Sequence, residues 1–284
     1  MAIHNIKNVI LVLSGKGGVG KSTFACQLAL SLQKSHLKIG LLDIDICGPS
    51  IPKMMNLYDQ VVCQGENGQV TRFSFYHNVL NFFYVRWVPI EYIKEGEIPL
   101  KVMSIGFLLE NKDSAVIWRG PRKNAMINQF LIDVDWGDLD CLVIDTPPGT
   151  SDEHISIAEC LKANQNHITA ILITTPQQVA VGAVRREITF CQKVGIEIFG
   201  LVENMSGFKC QHCSHYSKVF ATGGGKSLAE HAQIEFLFSL PIESNLSKCA
   251  DNGIDFIEKY PNSETSKAME TLANNICKKL KLRN

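Results

Sequence analysis

Residues Gly15-Lys16-Gly17-Gly18-Val19-Gly20-Lys21-Ser22 satisfy the pattern G-x-x-x-x-G-K-[ST]. The unbroken apolar run Val9 to Leu13 precedes them. A stretch with Phe24, Leu28 and Leu32 on one helical face follows. A glycine-rich turn between a buried strand and a helix is the context that makes this motif a phosphate loop. Glycines let successive backbone N–H groups point inward and form an anion nest at a helix N-terminus. Lys21 then reaches the β- and γ-phosphates, the Ser22 hydroxyl can ligate Mg²⁺, and Thr23 can bond the α-phosphate. The expected ligands are ATP and Mg²⁺.

The rest of the chain repeats the strand-then-helix rhythm. Segments 38–43, 102–105, 141–145, 168–174, 198–203 and 236–240 read as further strands. Helical patterns at 123–134, 152–161, 179–194 and 227–232 lie between several of them. Strands without alternation, separated by helices, imply a mostly parallel sheet covered on both faces, hence a doubly wound α/β fold. With 284 residues, 45% hydrophobic, and no long polar linker, 1–284 is expected to be one P-loop NTPase domain. Lysine plus arginine and aspartate plus glutamate each number 28, so a nucleic-acid partner is not expected. No secretory leader or run of about 18–20 apolar residues is present, which gives an expectation of a soluble cytoplasmic protein with no membrane span.

Two acidic motifs complete the expected nucleotide site. Leu142-Val143-Ile144-Asp145 is a strand ending in an acid, placing Asp145 to hold Mg²⁺ or its water shell. Asp43-Ile44-Asp45 ends another strand at the carboxyl edge, where ligands gather in open α/β sheets. Lys16, a second lysine within the loop, resembles the signature of the MinD-like class of P-loop ATPases. That resemblance implies a nucleotide-gated dimer in which Lys16 reaches the partner's nucleotide. It also implies that Asp45 orients the attacking water, that the Gly149 amide senses the γ-phosphate, and that Asn204 reads the adenine edge.

Ten cysteines are present. Most stand alone in apolar surroundings and read as small buried hydrophobes. Cys210 and Cys213, in the segment 207–216, are spaced as a ligand pair. From the residues alone three readings stay open: a redox dithiol, a zinc site with His212 and His215, or half the ligands of an iron–sulfur cluster completed by a second subunit.

The stretches SGKGGVGKST, GLLDIDICGPSIP, SIGFLLE, VIWRGPRKN, WGDLDCLVIDTPPGTSDEH, TTPQQVAVGAVRREITFCQK and GLVENMSGFKCQHC together resemble the Mrp/ApbC-type iron–sulfur scaffold ATPase family, in its short cytosolic form. The resemblance implies slow ATP hydrolysis serving assembly of a [4Fe–4S] cluster, held by Cys210 and Cys213 with the same pair from a second subunit. It implies transfer to apoproteins. It also implies a partner: a second copy, or a longer paralogue with an N-terminal four-cysteine cluster site, in a heterotetramer. This chain has no cysteine before Cys26 and is expected to lack that extra site. It departs from the family at Gln211, where proline is common, and at Tyr216, where close relatives often carry a third cysteine.

Other features attract other readings. Residues 70–86 look like an insertion into Gly-Gln-Trp-Val-Pro, either genuine or a retained short intron, because the ends can be encoded with splice-site dinucleotides. The aromatic stretch around it suggests a β-hairpin excursion or a partly disordered insertion. Ala268, Leu272, Ile276 and Leu280 recur at helical spacing beside lysines. That pattern suits either a docked last helix or a membrane-surface helix of a positioning ATPase. Gly223-Gly224-Gly225-Lys226-Ser227 imitates a phosphate loop but reads as a helix-entry turn. Trp118-Arg119-Gly120-Pro121 is family-like, with no role derivable from its residues.

Overall fold

In a computed structural model of the chain, residues 2–46, 48–66, 69–72, 86–109, 120–210, 213 and 215–282 are described. The strands are β1 (Ile6–Ser14), β2 (Ile39–Asp43), β3 (Cys63–Glu66), β4 (Gln69–Arg72), β5 (Arg86–Val88), β6 (Ile90–Tyr92), β7 (Leu100–Ser104), β8 (Leu139–Asp145), β9 (His167–Thr174), β10 (Glu197–Glu203), β11 (Phe208–Lys209), β12 (Tyr216–Ser217) and β13 (Phe236–Ser239). The helices are α1 (Lys21–Gln33), α2 (Ile51–Met54), α3 (Gly120–Ile132), α4 (Asp152–Ala163), α5 (Gln178–Val194), α6 (Gly224–Ala232), α7 (Ser244–Asp251), α8 (Phe256–Lys259) and α9 (Glu264–Lys279).

Eight strands form one sheet in the order β13-β10-β9-β1-β8-β2-β7-β6. Every neighbouring pair is parallel except β6 with β7. The central strands are mostly apolar and almost wholly buried: β2 is buried along its length, and only Lys7 of β1 and His167 of β9 are exposed. Helices on both faces leave no solvent side, so alternation has nothing to select for. The chain crosses from one half of the sheet to the other around β1, and the carboxyl ends of β1, β2 and β8 meet there. Their register places Asp43 beside Asp145 and Val12 beside Asp145. That edge is where an open parallel sheet receives ligands.

The expected parallel strands and their helices are all present, with ends shifted by a few residues. The structure adds what local pattern did not show. Strands β3, β4 and β5 form a small sheet with β3 in the middle. The bulk of the expected insertion, 73–85, lies outside the described residues, as do Trp118 and Arg119. Its flanks run as β4 and β5, and Trp87 is buried edge-on against Phe130, with ring centroids 5.3 Å apart. Helix α9 docks on the core: Met269, Leu272, Ala273, Ile276 and Cys277 are buried, and Ala268 and Leu280 pack against them. Its apolar stripe therefore faces protein. No helix among the described residues is long and apolar enough to cross a membrane.

Candidate functional site

The loop between β1 and α1 shows why its glycines matter. Gly20 caps α1 in the left-handed region, at φ 85°, and supplies no side-chain cap to the helix amides. A Cβ there would lie 2.4 Å from Asn204 Nδ2. The first residues of α1, Lys21 to Thr23, line a cleft of about 190 Å³ together with the loop, Asp45, Ser50 and Pro148. A helix N-terminus without a side-chain cap, with its dipole, is chemically suited to an anion.

Lys21 is 6% exposed and Asp145 fully buried. Lys21 Nζ donates to Asp145 Oδ1 at 2.5 Å, with Ser22 facing the same carboxyl group. The other oxygen, Asp145 Oδ2, is buried and accepts no hydrogen bond from the described residues. A buried carboxylate oxygen without a donor, next to a serine hydroxyl, suits a hydrated divalent cation. Burial raises the Asp145 carboxyl above its ordinary range, and the Lys21 ammonium opposes that shift.

The sequence places Asp43 in its acidic motif but assigns it no role of its own. It is fully buried and accepts from the Asp45 amide at 3.1 Å and the Ser104 hydroxyl at 3.0 Å. It therefore fixes the backbone at Asp45, which lines the cleft. Burial, then the neighbouring Asp145 charge, push its carboxyl well up.

Other expected residues are engaged within the protein. Lys16 Nζ donates to Gln177 Oε1 at 3.4 Å, and Thr175 Oγ1 donates to the same oxygen at 3.0 Å. The Gly149 amide donates to the Ser14 carbonyl at 2.7 Å. Thr23 Oγ1 faces Met54 Sδ at 3.9 Å. Asn204 Nδ2 donates to the Val19 carbonyl at 2.8 Å, inside the phosphate loop.

His154 is a second feature that was not foreseen. Its Nδ1 accepts from the Ser151 amide at 3.2 Å and its Nε2 lies 3.1 Å from the Pro147 carbonyl. The first contact makes Nδ1 the acceptor, so the proton sits on Nε2 and is donated to Pro147. Burial lowers its pKa to about 4. The neutral ring thereby pins Pro147, two residues after Asp145, to the start of α4. The signal in the sequence was Ser151-x-x-His154, a capping box with histidine where glutamate is usual.

The cysteine pair occupies a different region. Strands β11 and β12 form a short antiparallel hairpin, closed by the Cys210 amide donating to the His215 carbonyl at 2.9 Å. Cys210 is half-buried and Cys213 exposed. Cys210 lines a cavity of about 350 Å³ with Pro241, Asn245 and Ser263. It shares no lining residue with the nucleotide cleft. By contrast Cys26, Cys141, Cys191, Cys249 and Cys277 are buried. Burial pushes their thiols up where a shift is resolved, which disfavours the thiolate a metal needs. His212 lies outside the described residues.

A family model described as the NUBPL iron-transfer P-loop NTPase matches residues 5–277. A chicken (Gallus gallus) protein named cytosolic Fe-S cluster assembly factor NUBP2 is 51% identical over 96% of this chain and 93% of its own length. An Archaeoglobus fulgidus nucleotide-binding protein, solved with ADP, superposes with a TM-score of 0.70 at 32% identity, covering 89% of both chains. The septum site-determining protein MinD of Pyrococcus horikoshii, solved with Mg-ADP, shares the fold at a TM-score of 0.59 and 18% identity, over 95% of this chain and 96% of its own. A phosphate loop with an uncapped helix, a buried lysine–aspartate pair at its floor and a reachable cysteine pair thus come with a match over nearly the full length: this chain belongs to the NUBPL iron-transfer P-loop NTPase family.

Proposed function

We propose that the protein is an ATP-gated scaffold of the cytosol that assembles a [4Fe–4S] cluster between two subunits and passes it to cytosolic and nuclear apoproteins. One observation carries the reading. Cys210 and Cys213 share one hairpin, with Cys213 exposed and Cys210 half-buried, while five of the other described cysteines are buried. Two thiolates fill half of a Cys₄ set, so the cluster, which is cargo here, needs a matching pair from a second copy or from the longer paralogue. The names of the relatives point the same way, to cytosolic cluster assembly.

In this scheme the amides of Gly15 to Ser22 and the α1 N-terminus hold the phosphates. Lys21 exchanges Asp145 for the β- and γ-phosphate oxygens. Ser22 and Asp145 would hold Mg²⁺ through its water shell, and the ion would neutralise charge on the transferring phosphoryl group. Asp45, its backbone fixed by Asp43, orients the attacking water. The Gly149 amide leaves Ser14 to read the γ-phosphate, and Asn204 sits at the adenine end of the loop. Lys16 leaves Gln177 for the nucleotide of the partner subunit, so the triphosphate closes the dimer. Hydrolysis is slow and resets the thiol bridge for loading or release.

Anaerobic reconstitution with iron and sulfide tests this. Wild-type protein should purify as a dimer with both elements, and Cys210→Ala should lose both while still binding ATP. Zinc without sulfide in the wild type, or unchanged iron and sulfide in the variant, would overturn the proposal.

A further inference from the structure

A nucleotide cleft and a thiol hairpin that share no lining residue need a physical link if one is to control the other. The connection that carries the cysteines follows β10 by way of Ser206 and ends at Gly223, the N-cap of α6. Both ends meet on one side chain, Glu203, which is 1% exposed. Its Oε1 accepts from Ser206 Oγ at 2.7 Å and from the Gly223 amide at 3.4 Å. Its Oε2 accepts from the Gly225 amide at 2.7 Å. The run of glycines that imitates a phosphate loop is therefore an anion nest filled by the protein's own carboxylate. A Cβ on Gly225 would lie 3.1 Å from both Glu203 Cβ and Oε2, so no larger residue fits that approach unchanged.

The next residue faces the other way. Asn204 Nδ2 donates to the Val19 carbonyl in the phosphate loop, and its amide donates to Thr174 at 2.8 Å. Gly224 packs on the Pro176 carbonyl, with a Cβ there only 2.6 Å away. The residue after Pro176 is Gln177, the partner of Lys16. The α6 N-terminus thus rests on the segment that holds Lys16, while Glu203 and Asn204 join it to the phosphate loop through adjacent peptide units.

We infer that Glu203 is a positioning residue that carries the state of the nucleotide cleft to the cysteine hairpin, by fixing both ends of that connection while Asn204 fixes the phosphate loop. The inference rests on the proposed role of the cysteine pair. Charge-assisted bonds from buried donors are strong and directional, so the two ends move with the carboxylate or lose it. An amide in its place offers one acceptor oxygen and turns an N–H toward a donor.

Hydrogen exchange on the full chain without cluster, with and without Mg-ATP, tests the link. Peptides over 14–23 report binding and peptides over 206–225 report transmission. In the wild type, saturating nucleotide should slow exchange in 206–225 about fivefold or more, and Glu203→Gln should cut that response below about twofold while 14–23 stays protected. Ser206→Ala removes the single side-chain donor without burying a new group, and should give an intermediate response even where Glu203→Gln folds poorly. The inference is overturned by a full response in both variants, by a wild-type hairpin indifferent to nucleotide, or by loss of phosphate-loop protection in the same proportion. Because no cluster is present, failure of cluster assembly and failure of the link give separate results.

Discussion

Lys21 and Cys213 stand at opposite ends of the burial scale, and the regions around them obey different rules. The nucleotide cleft is floored by charges withheld from water: Lys21, Asp145 and Asp43 are all buried. Each is held by partners from distant parts of the chain. Its chemistry depends on strong electrostatics, which only a desolvated site supplies. The cysteine hairpin has two-residue strands, one thiol exposed and one half-buried. Its chemistry depends on being reached by a second molecule. Groups of the first kind are structural as well as functional, and groups of the second kind can be changed without harm to the fold.

The largest expected effect breaks the first region. Lys21→Met leaves Asp145 buried without its counter-charge and should cost roughly 3–5 kcal/mol in denaturant unfolding, because removing one partner of a buried pair strands the other. It should also abolish measurable ATP binding by calorimetry. A variant as stable as the wild type would show that the buried pair is not structural.

A second test sharpens the contrast through pH. The folded pKa of His154, about 4, lies below its ordinary 6.5. Protonation therefore favours the unfolded chain, and stability present above pH 6.5 is lost as pH falls toward 4. The loss integrates to roughly 3 kcal/mol. His154→Gln keeps a donor near Pro147 and removes the titration. Urea unfolding at pH 7 and pH 4.5 should show a smaller difference for the variant. Equal differences in both proteins would detach His154 from the acid response.

The smallest expected effect lies in the second region. Cys213→Ala should change unfolding free energy by less than about 0.5 kcal/mol, as exposed substitutions do, yet remove reconstituted iron and sulfide. Marked destabilisation would erase the distinction between the two regions.

The sequence was most legible where local pattern and burial coincide. The continuous apolar runs of β1, β2, β8 and β9 are visible because helices cover both faces of the sheet. The phosphate loop is visible because its glycines serve a local backbone shape. A β-hairpin excursion is one reading of the aromatic stretch, but the short strands β3 to β6 could not be placed individually, because they are held by pairing and carry no apolar run of their own. Strands β11 and β12 are likewise defined by pairing, with each other and, at Phe208, with Ile242. The pairing of Lys21 with Asp145 joins residues far apart in the chain, as does that of the Gly149 amide with Ser14, and no motif encodes either. For Glu203 a signal did exist. Three consecutive glycines at a helix entry mark a place where backbone amides converge, and the remaining question was which anion fills it.

The contact between Lys21 and Asp145 has a consequence for how ligands enter. When a triphosphate draws the ammonium away, the carboxylate is left buried without its counter-charge, an arrangement that disfavours the exchange by several kcal/mol. A divalent cation arriving with the nucleotide restores neutrality at that spot. On the proposed chemistry, triphosphate and cation are therefore cooperative guests: each raises the affinity for the other by the same factor. The free nucleotide, without its ion, is a poor substitute for the complex.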